Sequence, residues 1–291
     1  MKVVLLGTAA GGGAPQWNCA CELCARTRAG GLPARSQDCL AVSGNGADWW
    51  LVNASPDLRV QLAVTPELAA GPGPRDTPVR GVLLTDAELD HTLGLLTLRG
   101  AAGLAVHAPA AVLHALADTR AVLATYAAWS WREVGSERPV ELAGGLVVTA
   151  HPVSGKRPKY VGESSVDGAW VVAYRFADPV TGGSLLYAPC LAAWPDGFDD
   201  LLAASDVALL DGTFHAPSEM GSATGRAGGQ AAMGHLPIVD SLPRLRRHPG
   251  VRRVYTHLNN TNPVLDPSSA EHGALREAGV EVLPDGALLE L

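Results

Sequence analysis

Three apolar runs of this chain end on carboxylates or imidazoles, and that pairing constrains the fold more than any bulk property. Gly81-Val82-Leu83-Leu84 runs into Thr85-Asp86-Ala87-Glu88-Leu89-Asp90-His91-Thr92. Val207-Ala208-Leu209-Leu210 runs into Asp211-Gly212-Thr213-Phe214-His215, and Val254-Tyr255-Thr256 into His257-Leu258-Asn259-Asn260-Thr261-Asn262-Pro263. A short continuous apolar run reads as a buried strand. Layered α/β chains build their sites where such strands end. Met233-Gly234-His235-Leu236-Pro237 places a further imidazole just before a helical stretch. Taken singly, each histidine is by default a hydrogen-bonded structural residue and the acidic stretch a solvated loop. The repetition of one context is what points to a site.

Strand-like runs cover Lys2–Leu6, Cys39–Ser43, Trp49–Asn53, Val79–Leu84, Ala105–Ala108, Leu146–His151, Trp170–Phe176, Ser184–Ala188, Val207–Asp211, Arg253–His257 and Val280–Val282. Helical runs are Asp57–Leu62 with a carboxylate cap, Leu93–Leu98, Ala110–Arg120, Pro195–Ala204, Ile238–Arg247 and Ser268–Ala278, the last behind a Ser-Ser cap. Strands interspersed with helices indicate a layered α/β chain, with mixed or antiparallel pairing in the early half. Gly71-Pro72-Gly73-Pro74 reads as a surface turn and the Gly/Ala/Ser-rich Gly221–Gly229 as a mobile loop near the site. With no separating linker, residues 1–291 read as one domain.

Hydrophobic residues make up 47% and charged residues 18%, enough for a sizeable core and against disorder. The net charge of −7 disfavours nucleic acid as a partner. Lys2 before Val3-Val4-Leu5-Leu6 is too short a start for a signal peptide, no stretch has the apolar length of a membrane span, and a cytoplasmic protein is expected. Three of five cysteines crowd into Cys19-Ala20-Cys21-Glu22-Leu23-Cys24, which in a reducing compartment suggests metal ligation.

These pieces together carry a resemblance. Val4-Leu5-Leu6-Gly7-Thr8-Ala9-Ala10-Gly11-Gly12-Gly13, Pro15-Gln16-Trp17-Asn18-Cys19 with Cys21 and Cys24, and Thr85-Asp86-Ala87 with Asp90-His91-Thr92 and Gly94-Leu95-Leu96 open the series. Tyr187-Ala188-Pro189, Leu210-Asp211-Gly212-Thr213-Phe214, Met233-Gly234-His235-Leu236-Pro237 and His257 with Asn259-Asn260-Thr261-Asn262-Pro263 complete it. In this order they make the chain similar, from end to end, to the pyrroloquinoline-quinone biosynthesis protein B family, a branch of the metallo-β-lactamase-fold superfamily. The resemblance implies an α/β metallo-β-lactamase-like αββα four-layer sandwich of two mixed β-sheets flanked by helices. It also implies a place in making pyrroloquinoline quinone (PQQ), from a small-molecule substrate derived from a peptide with cross-linked Glu and Tyr side chains. Other proteins of that pathway and a second copy of the chain in a homodimer are the implied partners.

Hydrolases of this superfamily carry His-x-His-x-Asp-His after the strand. Here Asp86 and Glu88 replace the first two histidines, while Asp90 and His91 are kept. Zinc hydrolases use a nitrogen-rich ligand set. Two histidines and a carboxylate with open positions instead suit Fe(II) and oxygen chemistry. Asp90, His91 and His257 are expected to form that triad, with Asp211 as a further ligand or as a partner of a ligand. His235 is expected to shuttle a proton or orient substrate. Asp86 and Glu88 either hydrogen-bond the ligating imidazoles or bind substrate amino groups.

Two departures follow from the same comparison. Cys190 stands roughly where hydrolases place a bridging Asp, and reads either as a soft-metal ligand or as a buried small residue. The basic loop Gly155-Lys156-Arg157-Pro158-Lys159-Tyr160 stands where hydrolases have a third histidine motif. Lys156 and Arg157 read as a clamp for substrate carboxylates or as a solvated loop. Cys19, Cys21 and Cys24 are expected to hold a structural Zn2+. A phosphodiesterase branch of the fold closes such a cluster with a histidine, and here His257, Asn260 and Cys39 are the candidates for the fourth ligand. Three functions compete: Fe(II)-dependent hydroxylation of the tyrosine-derived part of the precursor, transport of PQQ or its precursor, and metal-dependent hydrolysis.

Overall fold

The strands whose sequence is apolar without alternation, such as Cys39–Ser43, Ser184–Ala188 and Val207–Asp211, are buried on both faces. In a computed structural model, residues 1–136, 138–224 and 233–291 are described. Among them run fourteen strands: β1 (Lys2–Gly7), β2 (Cys39–Ser43), β3 (Trp49–Val52), β4 (Val79–Leu83), β5 (Ala105–Ala108), β6 (Ser130–Glu133), β7 (Val140–Glu141), β8 (Val147–Ser154), β9 (Val171–Ala177), β10 (Ser184–Ala188), β11 (Val207–Asp211), β12 (Arg252–Thr256), β13 (Val280–Glu281) and β14 (Leu288–Glu290). The α-helices are α1 (Glu22–Arg28), α2 (Leu58–Val64), α3 (Leu89–Thr92), α4 (Ala110–Ala115), α5 (Ala117–Ala124), α6 (Phe198–Ala203), α7 (Glu219–Thr224), α8 (Ile238–Leu245) and α9 (Ala270–Glu277). Among the described residues, no helix is long and apolar enough to cross a membrane.

The chain forms two compact units. Unit 1 comprises Met1–Leu6, Cys39–Ser184 and Gly286–Leu291; unit 2 comprises Gly7–Asp38 and Leu185–Asp285. In unit 1 a sheet runs β14-β1-β2-β3-β4-β5-β6. It is antiparallel at β1/β14 and β2/β3 and parallel from β3 to β6. The strands β7, β8 and β9 form an antiparallel ladder. Val4, Leu51, Val82 and Val106 of the sheet pack with Leu58 of α2, Leu95 and Leu98 after α3, and Val112 and Leu123 of α4 and α5 in one buried core. Each fully buried leucine stabilises this packing by about 2 kcal/mol. Unit 2 contains β10, β11, β12 and β13, all parallel, with α6, α8 and α9 in their crossovers.

Register positions the chemistry. Between β11 and β12, Leu210 pairs with Tyr255 and Asp211 with Thr256, so the two strands end at one edge. Gly212 follows Asp211 at a point where a Cβ would come within 2.8 Å of the Tyr255 Cβ; no side chain fits there. In unit 1, Gly94 lets the end of α3 lie on the loop after β3. A Cβ at Gly94 would meet the Ser55 carbonyl at 2.3 Å.

Several expected boundaries move, each for a local reason. The strands expected to reach Asn53 and His257 end one residue earlier, because those residues take left-handed backbone at φ 65° and 57°. The single helix expected over Ala110–Arg120 is two, broken at Leu116, where ψ turns to 15°. Asp57 precedes α2 without capping it through its side chain, whereas Ser269 does cap α9, its Oγ accepting from His272 N at 3.0 Å. Helix α1 begins within the cysteine cluster, where only a metal loop is expected. The strands β6, β7 and β14, two to four residues each, are too short for their pattern to read as strands. Of the loop expected over Gly221–Gly229, residues 221–224 belong to α7 and residues 225–229 lie outside the described residues.

Candidate metal centre

The end of β11 starts the site in unit 2. Asp211 is buried, and its carboxylate accepts from four donors. Oδ2 takes the Leu191 amide at 2.8 Å and His235 Nδ1 at 2.9 Å; Oδ1 takes the Thr213 amide at 3.0 Å and the Thr213 hydroxyl at 2.7 Å. A carboxylate offers about four lone-pair sites, so Asp211 is saturated within the protein. In this arrangement Asp211 orients His235, the second of its two expected roles. Burial pushes its carboxyl up, but His235, His257 and the Leu191 amide outweigh burial and hold it below the usual carboxylate range.

The Thr213 hydroxyl also lies 3.0 Å from His235 Nδ1 and 2.8 Å from His257 Nδ1. A hydroxyl has one proton, and here it goes to the Asp211 carboxylate. Both imidazoles must then donate through Nδ1–H, which leaves the lone pair of each ring on Nε2. The rings stack with centroids 5.1 Å apart and 24° between planes. Asp211, His235 and His257 can each offer a ligand atom within 4.8 Å of the others. An imidazole fixed through Nδ1 by a carboxylate or hydroxyl is the usual preparation of a metal ligand. His257 is 3% exposed, and the His235 side chain, at 11%, is the more open of the two.

Beneath this pair is a buried acid that the sequence did not reveal. Asp38 accepts from the Thr256 hydroxyl at 2.5 Å and from the Tyr187 hydroxyl, tying the end of β12 to β10. The strained His257 backbone follows directly, and strain of this kind persists only where surrounding contacts over-determine it.

In unit 1 the loop after β4 prepares a third imidazole in the same way. His91 Nδ1 lies 2.8 and 3.0 Å from the two Asp86 oxygens, and Asp86 also accepts from the Glu88 amide at 2.9 Å. Burial raises the Asp86 carboxyl, yet His91 and the other donors keep it below the ordinary range. Fully enclosed, Asp86 faces the His91 imidazole, the first of its two expected roles. Asn53 is the unexpected support, its Oδ1 accepting from Thr85 N at 3.0 Å while its left-handed backbone turns the chain after β3.

Glu88 pairs with Lys156 at 2.9 Å, so the expected basic clamp spends one of its cations on the acidic loop. Tyr160 donates to the Ala87 carbonyl at 2.7 Å from the same basic loop. Arg157 is exposed and donates to the Ser164 carbonyl at 3.2 Å. Asp90 is half-buried on α3, and among the described residues unit 1 by itself closes no group of three ligand atoms.

The cysteine cluster belongs to unit 2. The Sγ atoms of Cys19, Cys21 and Cys24 lie within 4.8 Å of one another. The Asn260 side-chain Nδ2 donates to Cys24 Sγ at 3.2 Å and to Cys21 Sγ at 3.9 Å, so of the three candidates Asn260 is the one that faces the thiols, as a hydrogen-bond donor. The other candidates are engaged elsewhere: His257 belongs to the imidazole pair, and Cys39, in the unit 1 core, donates to the Asn53 carbonyl at 3.2 Å. Cys190 is buried directly after β10, beside the Leu191 amide that holds Asp211. Three convergent thiols fit one soft divalent ion.

Comparison with known proteins gives the family and the fold. Residues 48–258 match the model of the β-lactamase superfamily domain. The coenzyme PQQ synthesis protein B of Methylobacterium nodulans is 41% identical, with both chains covered completely. That of Cupriavidus necator is 39% identical, covering 100% of this chain and 99% of its own. The crystal structure of Zn2+-bound PqqB from Methylobacterium extorquens superposes with a TM-score of 0.93 at 35% identity, covering 100% of both chains. A diphosphatase of the PhnP family, 20% identical with a TM-score of 0.72 over 100% of this chain and 96% of its own, shares the fold alone. The fold is thus α/β and metallo-β-lactamase-like, with two mixed sheets flanked by helices, as expected. The chain belongs to the coenzyme PQQ synthesis protein B family of the β-lactamase superfamily.

Proposed function

We propose that this chain serves PQQ biosynthesis as a metal-dependent enzyme that hydroxylates the tyrosine-derived part of a cross-linked Glu-Tyr precursor. The observation that carries the metal reading is the single Thr213 proton, which fixes His235 and His257 with Nε2 ready to ligate. Those two imidazoles are the proposed ligands in unit 2. In unit 1, His91 is prepared likewise by Asp86, with Asp90 as the neighbouring carboxylate. Imidazole and oxygen ligands with open positions suit Fe(II) as well as Zn2+. The cysteine cluster is proposed to hold Zn2+, which the relative from Methylobacterium extorquens is known to bind.

When bound, the active-site metal supplies Lewis acidity and, as iron, reactivity toward oxygen. The protein's own residues do the rest. Asp211 and Thr213 hold the tautomer and ring directions, so no reorganisation is needed as charge develops. His235, the more open ring, faces the reacting group. Arg157 offers a planar fork for a substrate carboxylate.

Metal analysis on anaerobically purified protein tests this, on the wild type and on His257→Ala. One zinc in both and one iron in the wild type alone is the expected result, followed by an oxygen-dependent mass gain on the precursor. Zinc alone in both, with tight unreacted binding of PQQ, would replace this reading with transport. A hydrolysed product would replace it with hydrolysis.

A further inference from the structure

Six residues of unit 2, 257–262, run from one cluster to the other, and each is hydrogen-bonded through its side chain or its backbone. His257 donates to Thr213. The Asn259 backbone amide donates to the Thr213 carbonyl at 3.0 Å, and its side-chain Nδ2 donates to the Thr261 hydroxyl oxygen at 2.5 Å. Asn260, buried, turns its side chain onto Cys24 and Cys21. The Thr261 hydroxyl donates to Glu219 Oε1 at 2.6 Å, while Glu219 Oε2 takes the His215 amide at 2.5 Å. Asn262 Nδ2 donates to the Gly212 carbonyl at 2.7 Å, and its Oδ1 accepts from Val264 N at 3.1 Å. The Leu258 backbone is held at both ends, its amide on the Thr8 carbonyl at 2.8 Å and its carbonyl by the Ala10 amide at 2.9 Å. Beyond the segment, Arg26 of α1 pairs with Asp266 at 2.5 Å, so the helix that carries Cys24 is anchored on both sides of Asn260.

A segment fixed at every residue cannot move Asn260 without moving His257, three residues away and already in strained backbone. The same clasp grips Gly212, Thr213 and His215, which follow the saturated Asp211. We infer that Asn260 is a positioning residue that couples occupation of the cysteine cluster to the metal affinity of the His235/His257 pair, with the Thr261–Glu219 bond as the second anchor. This rests on the metal reading given above for both clusters. A cation drawn to the thiols fixes Asn260, and the segment then holds His257 in its ligating position before the second metal arrives. The free-energy coupling is reciprocal: metal at the imidazole pair must tighten the cysteine cluster equally.

Cobalt(II) titration of the metal-free full chain tests this, because thiolate charge-transfer absorption reports the cysteine cluster and ligand-field bands without it report a nitrogen and oxygen site. In the wild type both sets of bands are expected. In Asn260→Ala the thiolate bands persist, while affinity at the imidazole site falls on the order of tenfold, within the usual range of coupling. Asn260→Asp, which removes the Nδ2 donor to the thiols, is expected to give the same loss and not to restore it. Glu219→Gln loosens the other anchor and is expected to weaken the imidazole site with the thiolate bands unchanged. It gives the answer if Asn260→Ala does not fold. Unchanged imidazole affinity in both variants overturns the coupling alone. Absence of any cobalt band outside the thiolate set in the wild type overturns the metal reading and the coupling with it.

Discussion

The two clusters of unit 2 are built by opposite means. Cys19, Cys21 and Cys24 come from six consecutive residues, closed by Asn260. Asp211, His235 and His257 come from 47 residues of chain and meet through the register of β11 against β12. The first cluster is soft and sequence-local, and its ligands touch each other more than the protein. The second is richer in nitrogen, and its two imidazoles are fixed through Nδ1 by the Asp211 and Thr213 oxygens. A local cluster needs a metal to hold its shape, whereas an assembled one has its shape before a metal arrives. Folding should therefore depend on metal at the cysteines, and affinity at the imidazoles should depend on the oxygens behind them.

The largest effect should come from breaking the first half of that contrast. Cys24→Ser, at a buried thiol, is expected to lose the zinc of its cluster and to destabilise the protein by about 4 kcal/mol or more, since metal loss belongs to the severe class. Chemical denaturation with and without chelator measures this. If chelator leaves the wild type as stable as before, the cysteine cluster is not structural and the contrast fails.

Next comes Asp211→Asn. An amide cannot accept from all four donors, so the His235 tautomer is no longer fixed. Metal affinity at the imidazole pair should fall about 10- to 100-fold, the usual cost of losing such a partner. Thiolate bands in a cobalt titration should stay as they were. An equal loss at both clusters would show that Asp211 acts on the fold and not on the site.

Thr213→Val keeps the shape and deletes the shared hydroxyl. Stability should drop by about 1–3 kcal/mol as buried partners go unmatched, and affinity at the imidazole pair by about tenfold. An unchanged affinity would mean that the single-proton argument assigns the tautomers wrongly.

The smallest effect is in pH. Burial pushes Glu219 up to about 7, against the opposing bonds from Thr261 and the His215 amide. Its folded pKa is above the ordinary value of 4.5 given for an exposed glutamate, so the native state holds the proton more tightly than the unfolded chain. Stability of the metal-free protein should then fall as pH rises from about 4.5 to 7 and level off above, by at most about 3 kcal/mol. Glu219→Gln should flatten that slope. A slope identical in the variant would show that another group produces it.

The sequence reading named the cysteines as one cluster, expected a triad of Asp90, His91 and His257 with His235 as a proton shuttle or substrate-orienting group, and missed most of what holds these residues. Apolar runs ending in Asp211 and His257 marked the strand ends because a strand buried on both faces must be apolar along its length. Cys19, Cys21 and Cys24 were legible because their spacing is their geometry. Asn53, Asp38 and Thr213 carried no such signal: a buried Asn or Thr after a strand looks like any turn residue until its partner is known. Lys156 read as a free clamp because nothing in the chain announces its pairing with Glu88, 68 residues away.

By itself, then, the chain determined the family, the α/β class, the positions of the polar strand ends and the thiol cluster, all of which follow from residue type and period. Tertiary structure alone decided which four donors Asp211 accepts from, that Asp86 pairs with His91, and that Asn260 and not Cys39 faces the thiols. The reason is directional. A hydrogen bond is satisfied or not by distance and angle, and those depend on strand register and on two residues in left-handed backbone, neither of which a pattern of residue types encodes.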